Sequence, residues 1–174
     1  IRGFANIHES DMQLIPDVST AYVDPFRAER TLVMVFDIYN PRNGEIYGRD
    51  PRQVAKKAEK YLASTGIADT AFFAPEAEFY IFDDVRYEVK QNKSYYEVDS
   101  DEAAWNTGRT EEGGNLANKT AYKAGYFPVS PVDKHGDLRD DIMVKLGEAG
   151  LEVERGHHEV GTAGQGEINY KFDT

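Results

Sequence analysis

The sequence lacks cysteine and long apolar runs, and it is short of basic residues. None of its 174 residues is Cys, which excludes a disulfide scaffold, a Cys-based zinc site and a thiol nucleophile. No apolar run approaches the roughly 20 residues of a membrane-spanning helix. The 31 acidic residues exceed the 20 basic ones, giving a formal charge of −11. Duplex nucleic acid and anionic membranes are therefore excluded as main partners, because both require clustered Lys and Arg.

Aromatic residues are abundant, at 12% of the chain, so a folded sequence is expected rather than a disordered acidic one. The length suits one domain or parts of two. The sequence starts at Ile1 rather than Met and stops directly after a strand-like run. We therefore expect a processed piece or a fragment of a longer protein.

Local patterns predict an α+β fold in two parts. Residues 1–47 read as strands and turns, with a buried strand at 31–39 and a shorter one at 22–25. A helix is predicted from Asp50, as N-cap, and Pro51 to a stop at Gly66. The change near Gly48 predicts a domain boundary, with domains at residues 1–47 and 48–174.

The second part is expected to alternate strands, loops and one helix. We predict a long strand over 71–82, irregular chain with short strands at best over 83–125, and a helix over 136–149. Strand pieces at 151–154 and 157–160 precede a glycine-rich loop over 161–166 and a strand over 167–172. The loop would allow the strands on either side of it to pair as a hairpin.

Two groups of carboxylates point to chemistry. Glu76 and Glu78 lie two apart in an apolar strand, so they share one face. In His157-His158-Glu159, the glutamate is predicted to face Glu167 across the hairpin, with His157 on the same side. Four carboxylates together carry about −4, the charge that two divalent cations cancel, and all-oxygen ligands favour Mg²⁺ or Mn²⁺.

Each group alone has an ordinary structural explanation. A Glu-x-Glu strand is more often the solvated face of an antiparallel sheet, and paired histidines are more often structural. Spacing alone leaves a metal site and a plain acidic domain about equally supported.

Specific blocks of sequence stand in order along the whole chain, and they resemble the bacterial type I glutamine synthetase family. The blocks are Ile7-His8-Glu9-Ser10-Asp11-Met12, Asp24-Pro25-Phe26, Arg49-Asp50-Pro51-Arg52, Ser64-Thr65-Gly66-Ile67-Ala68-Asp69-Thr70, Glu76-Ala77-Glu78-Phe79-Tyr80-Ile81-Phe82, Gly125-Tyr126-Phe127-Pro128 and His157-His158-Glu159-Val160-Gly161-Thr162-Ala163-Gly164-Gln165.

The resemblance implies an activity and a fold. The family joins ammonium to the γ-carboxylate of L-glutamate through a γ-glutamyl phosphate, using ATP and giving L-glutamine, ADP and phosphate. It implies the remainder of a β-grasp N-terminal domain over 1–47, followed by the first part of a catalytic domain with an antiparallel sheet and flanking helices. It also implies a cytoplasmic enzyme of nitrogen metabolism that assembles into a dodecamer.

The resemblance also implies roles for individual residues. The metal ligands nearer glutamate and ammonium would be Glu78, Glu159 and Glu167, whereas Glu76 would hold the metal on the nucleotide phosphates. Beyond these ligands, Tyr126 would line the ammonium pocket beside Glu159, His157 would lie near the transferring phosphate, and Glu154 and Phe172 would lie at the nucleotide.

Other family features are expected outside this sequence. They include the Asp-Gly-Ser-Ser loop, the remaining His and Glu metal ligands, and the arginines that hold glutamate and phosphate. We therefore expect an internal piece that is inactive alone. Two alternatives stay open: a γ-glutamyl ligase of the same superfamily that uses another amine, and an isolated chain that only binds metal.

Overall fold

A computed structural model describes Gly3, residues 11–106 and residues 118–174. Residues 7–10 of the first family block lie outside this part. The described chain forms two compact units, one reaching Phe73 and including Asp173 and Thr174, the other Ala74–Phe172. The elements are β1 (Gln13–Val23), β2 (Leu32–Tyr39), α1 (Pro51–Thr65), β3 (Glu76–Tyr80), β4 (Asp84–Lys90), β5 (Lys93–Asp99), a short 3₁₀ helix (Ala104–Asn106), α2 (Gly136–Glu148), β6 (Val153–His158) and β7 (Gln165–Tyr170).

The first unit joins an antiparallel hairpin to a helix. Strands β1 and β2 pair directly, so the strand predicted over 31–39 is confirmed, whereas the short strand at 22–25 is the end of the longer β1. Arg52 of α1 forms ion pairs with Asp17 of β1 and with Asp37 of β2, the latter at 2.9 Å from Nε. Because these contacts hold α1 against the hairpin, the compact unit continues past residue 48. The domain boundary predicted there stays a prediction.

Helix α1 begins and ends where the sequence predicts. The Asp50 carboxylate accepts the N–H of Arg52 at 3.0 Å, and Pro51 occupies the first helical position. Gly66 ends the helix in the left-handed conformation, with φ 68°, which glycine adopts without steric strain. The apolar stripe of this helix stays largely uncovered, since Val54 and Tyr61 are exposed.

The second unit is built on a three-stranded antiparallel sheet in the order β3-β7-β6. Helix α2 packs against β6 and β7, with Met143 lying over Gly156. The hairpin predicted around the glycine-rich loop is confirmed, although β7 begins at Gln165 rather than Glu167. Most buried residues here are polar or charged, and the buried apolar residues in the described chain are Ala103, Ala163 and Ile168.

One prediction about this unit was wrong and another was incomplete. The strand predicted over 71–82 is only the five residues of β3. Residues 84–99, where short strands at best were predicted, form the regular hairpin β4–β5, with seven residues in each strand. Val85, Tyr87 and Val89 alternate with charged residues, and this period of two is the strand signal that the high polar content concealed. No helix in the described part of the chain is long and apolar enough to span a membrane.

Candidate metal and amine site

The central strand β7 aligns predicted site residues from three strands. Glu167 pairs with Glu78 of β3 on one side and with His157 of β6 on the other. Residues directly opposite each other share a face of the sheet, so these side chains form one row. Two residues along, Glu76 pairs with Asn169, which places both glutamates of the Glu-Ala-Glu segment on this face.

His157, Glu159 and Glu167 converge at the end of the hairpin. Each offers one ligand atom within 4.8 Å of the other two. His157 Nε2 lies 3.3 Å from Glu167 Oε2, and its Nδ1 lies 3.5 Å from Glu159 Oε1. Glu159 and His157 therefore lie on the side of Glu167, as predicted, but the residue paired with Glu167 is His157, and the Glu159 N–H bonds to the Gln165 carbonyl at 3.0 Å.

The two carboxylates of this cluster are buried, at 6% and 7% exposure for Glu159 and Glu167. Burial raises the pKa of Glu167, the Asn169 amide at 2.7 Å opposes that rise, and the nearby Glu159 adds to it. Among the described residues, His157 is the basic side chain that contacts both carboxylates. Glu159 also accepts the Val160 N–H at 2.7 Å. Two carboxylates buried this close together nevertheless repel each other, and a divalent metal fits this donor set because it would relieve that repulsion.

Glu76 and Glu78 lie on β3, a strand at the edge of the sheet. Both are exposed, and the Glu78 carboxylate accepts a hydrogen bond from the Gln165 amide at 2.9 Å. Both side chains lie beside the buried pair and face solvent, so they are placed to add ligands to a metal ion bound there.

The other predicted site residues are further from this cluster. Tyr126 is 57% exposed, and the preceding Gly125 approaches the Glu159 end of β6, with its N–H 3.4 Å from the Val160 carbonyl. Glu154 is exposed, at a register irregularity between Val153 and Arg155, and Phe172 is also exposed. The described structure does not bring Glu154 or Phe172 into the cluster, so their roles stay predictions.

Comparisons with known proteins agree along the whole chain. A family model described as the glutamine synthetase catalytic domain matches residues 48–174, and one described as the glutamine synthetase β-grasp domain matches residues 1–41.

This chain belongs to the glutamine synthetase family. It is 64% identical to a glutamine synthetase of Streptomyces coelicolor and 60% identical to one of Mycolicibacterium smegmatis, covering all of this chain but 37% of each relative. A cryo-EM structure of Plasmodium falciparum glutamine synthetase matches with a TM-score of 0.81 at 30% identity, over 97% of this chain and 33% of that one. The chain thus spans about a third of the length of these relatives. The predicted fold class, a β-grasp domain followed by the start of the catalytic domain, is confirmed.

Within this glutamine synthetase segment, sequence reasoning missed several residues that hold the predicted ligands. Asn169 donates to Glu167 and accepts from Arg155 Nε at 2.9 Å. Gln165 donates to Glu78, while Glu102 and His158, the last residue of β6, form a buried pair 3.1 Å apart. Gln165 and Asn169 alternate with Glu167 along one strand, and this pattern indicates that their side chains share its face. No local pattern pointed to Glu102.

Proposed function

We propose that the complete protein carrying this chain forms L-glutamine from L-glutamate, ammonium and ATP through γ-glutamyl phosphate, releasing ADP and phosphate. The observation that carries the proposal is the buried acidic cluster of His157, Glu159 and Glu167, with Glu78 paired beside it. Such a cluster suits a reaction in which ATP, glutamate and the γ-glutamyl phosphate are anions, because a cation bound at the cluster would compensate their charge.

We propose that Mg²⁺ or Mn²⁺ binds at this cluster. Both ions prefer oxygen donors, and the carboxylates of Glu78, Glu159 and Glu167 supply them. Glu76, on the same face of the sheet, would serve a second ion at the nucleotide phosphates. The ions would supply charge neutralisation for the transferring phosphoryl group.

His157 is better suited to the phosphate than to the metal. The three carboxylates satisfy a hard cation without an imidazole ligand. His157 is also less buried than Glu159 and Glu167, so its ring remains accessible at the mouth of the cluster. We therefore assign it to binding the transferring phosphate, where an imidazole N–H donates to a phosphoryl oxygen.

The ammonium pocket is proposed to lie between Glu159 and Tyr126. A cation is favoured by a carboxylate and by the face of an aromatic ring. The close approach of Gly125 to the backbone of Glu159 and Val160 supports this proposal, because Tyr126 follows Gly125 directly. Glu159 would thus both bind metal and attract the amine.

The remaining assignments concern the nucleotide and the assembly. Glu154 and Phe172, both exposed, are proposed to contact ATP at the far end of the site. We propose a dodecameric, cytoplasmic enzyme, in which neighbouring subunits complete each site.

The test is amine specificity in the full-length protein. Purified protein is incubated with ATP, Mg²⁺ and L-glutamate, and with ammonium, putrescine or ethylamine in turn, while ADP and the γ-glutamyl product are quantified. We expect efficient glutamine formation with ammonium. Preference for an alkylamine would instead identify a γ-glutamyl ligase for another amine.

A further inference from the structure

A buried carboxylate outside the proposed metal shell joins three separate segments. Glu102 precedes the 3₁₀ helix and is 1% exposed. Its Oε1 accepts the N–H of Lys134 at 2.7 Å, and its Oε2 accepts the N–H of Gly164 at 2.7 Å. His158 Nε2 lies 3.1 Å from the same Oε2. Every polar contact of Glu102 is therefore made to a donor.

The charge on Glu102 is strongly favoured in this setting. Burial by itself would raise the pKa of the carboxyl, but the hydrogen bonds from His158, Lys134 and Gly164 outweigh it and lower the pKa to about 2. Glu102 is consequently an acceptor across the working pH range, and it holds its three donors in place.

Through His158, Glu102 reaches the proposed amine pocket. His158 Nδ1 lies 2.9 Å from the Gly125 carbonyl and 3.0 Å from the Glu159 carbonyl. A Cβ at position 125 would lie 2.1 Å from that Glu159 oxygen, so only glycine permits this approach. The His158 ring thus contacts the backbone of Gly125, directly before Tyr126, and the backbone of Glu159.

Through Gly164, Glu102 reaches the other side of the hairpin. The next residue is Gln165, whose amide donates to Glu78 and whose side-chain oxygen accepts the Gly161 N–H at 2.6 Å. The backbone N–H of Glu159 donates to the Gln165 carbonyl, and this hydrogen bond closes the same loop. Glu102 therefore contacts a neighbour of Glu159 and a neighbour of the residue that holds Glu78.

We propose that Glu102 is a positioning residue that fixes Glu78, Glu159 and the Tyr126 segment in one arrangement for metal and amine. The proposal rests on the proposed function, because it takes Glu78 and Glu159 as metal ligands. Glu102 itself contacts neither ion nor substrate. Outer residues that orient metal ligands typically change metal affinity or activity about 10- to 100-fold when altered.

The test compares Glu102→Gln with a matched control in the full-length protein. Gln has nearly the same size but directs an NH₂ donor at one of the N–H groups that the carboxylate accepts. The control is Glu97→Gln, on the exposed face of β5. Titration calorimetry well below the unfolding temperature should show Mn²⁺ affinity reduced about 10-fold or more in E102Q and unchanged in E97Q. KM for ammonium should rise in E102Q as well.

The outcomes separate this proposal from the proposed function. If the unaltered protein fails to bind Mn²⁺, the metal site itself is wrong. If the unaltered protein binds Mn²⁺ and E102Q binds it equally well, only the positioning role is wrong. A merely structural role would lower the free energy of unfolding of E102Q without changing the Mn²⁺ affinity of the folded protein.

A measurement on the unaltered protein decides the matter if E102Q does not fold. Coupling between sites is reciprocal, so saturating Mn²⁺ should slow amide hydrogen exchange at Gly125, Lys134 and Gly164 as well as at the ligands. Protection confined to the ligand residues themselves would overturn the proposal.

Discussion

At the residue scale, the central feature is a pair of buried glutamates that share a single basic neighbour among the described residues. Glu159 and Glu167 lie together at the hairpin end with a half-buried histidine between them. Two carboxylates this close together in a buried position repel each other, and a cation between them would relieve that repulsion. The burial and proximity of these few residues therefore support the proposed metal site.

We expect Mn²⁺ binding to be lost in the double variant Glu78→Ala, Glu159→Ala. Removing two of three proposed carboxylate ligands should exceed the roughly 10- to 100-fold loss typical of outer-shell changes. Titration calorimetry measures the loss, with Glu97→Ala as the exposed control. Unchanged binding in the double variant would contradict the ligand assignment.

The lowered pKa of Glu102 predicts that the stability of the folded protein depends on pH. Its pKa is lowered from 4.5 to about 2 in the folded protein, so its stabilisation is fully present above its unfolded pKa and is lost as pH falls toward the folded value. The contribution at neutral pH is about 3 kcal/mol. Urea unfolding of the unaltered protein and E102Q should show a stability difference that shrinks steadily from pH 5 to pH 2. A difference independent of pH would contradict this explanation.

At the element scale, helix α1 depends on one cap residue. The Asp50 side chain accepts the Arg52 N–H and, through its second oxygen, the Ile38 N–H of β2 at 3.1 Å. Asp50 is 4% exposed, so water does not readily replace these contacts. The cap therefore both starts the helix and attaches it to the hairpin.

Replacing Asp50 by Ala should destabilise the first compact unit by about 2–3 kcal/mol, combining a lost N-cap with an unsatisfied strand N–H. Asp50→Asn should have a smaller effect, because Asn caps helices well but keeps a single acceptor oxygen. Urea unfolding followed by far-UV circular dichroism measures both. Equal effects of the two variants would contradict the dual role.

The β4–β5 hairpin shows how an element was misjudged from composition. Tyr87 and Tyr96 pair across it and are 75% and 80% exposed. Its strands carry many charged residues, which favoured a loop, yet the apolar residues alternate with them. Periodicity was the better guide here, because a strand requires an alternating pattern rather than a high apolar content.

At the scale of the whole molecule, the chain covers only part of the length of the glutamine synthetases that it resembles. It spans about 37% of the length of its bacterial relatives, and the described residues bury few apolar side chains while exposing many large ones. Surfaces of this kind are typical of parts that pack against the rest of a protein or against other subunits.

We expect the isolated 174-residue chain to form no glutamine from ATP, glutamate and ammonium. The proposed cluster supplies part of the metal shell, and the groups that would hold glutamate and phosphate are expected elsewhere in the complete protein. A coupled ADP assay on the purified chain, with the full-length protein as positive control, checks this. Glutamine formation by the isolated chain would refute the prediction.

The sequence alone determined the α+β class, helix α1 with both of its ends, helix α2, the β6–β7 hairpin and the family. These are set by short-range signals: Asp50 and Pro51 at a helix start, Gly66 at its end, and motifs such as Glu76-Ala77-Glu78. The two-residue period of side chains along a strand also placed Glu76 and Glu78 on one face of the sheet.

Only the tertiary structure decided the register and the supporting contacts. His157, rather than Glu159, stands opposite Glu167. The register of the hairpin depends on where its loop closes, here at the hydrogen bond from the Glu159 N–H to the Gln165 carbonyl, and the residue types in the loop do not reveal that position. Glu102 lies 56 residues before His158 in sequence, and no local pattern relates the two. A buried carboxylate finds its donors through the packing of distant segments, which is why the fold and not the sequence revealed what holds the site together.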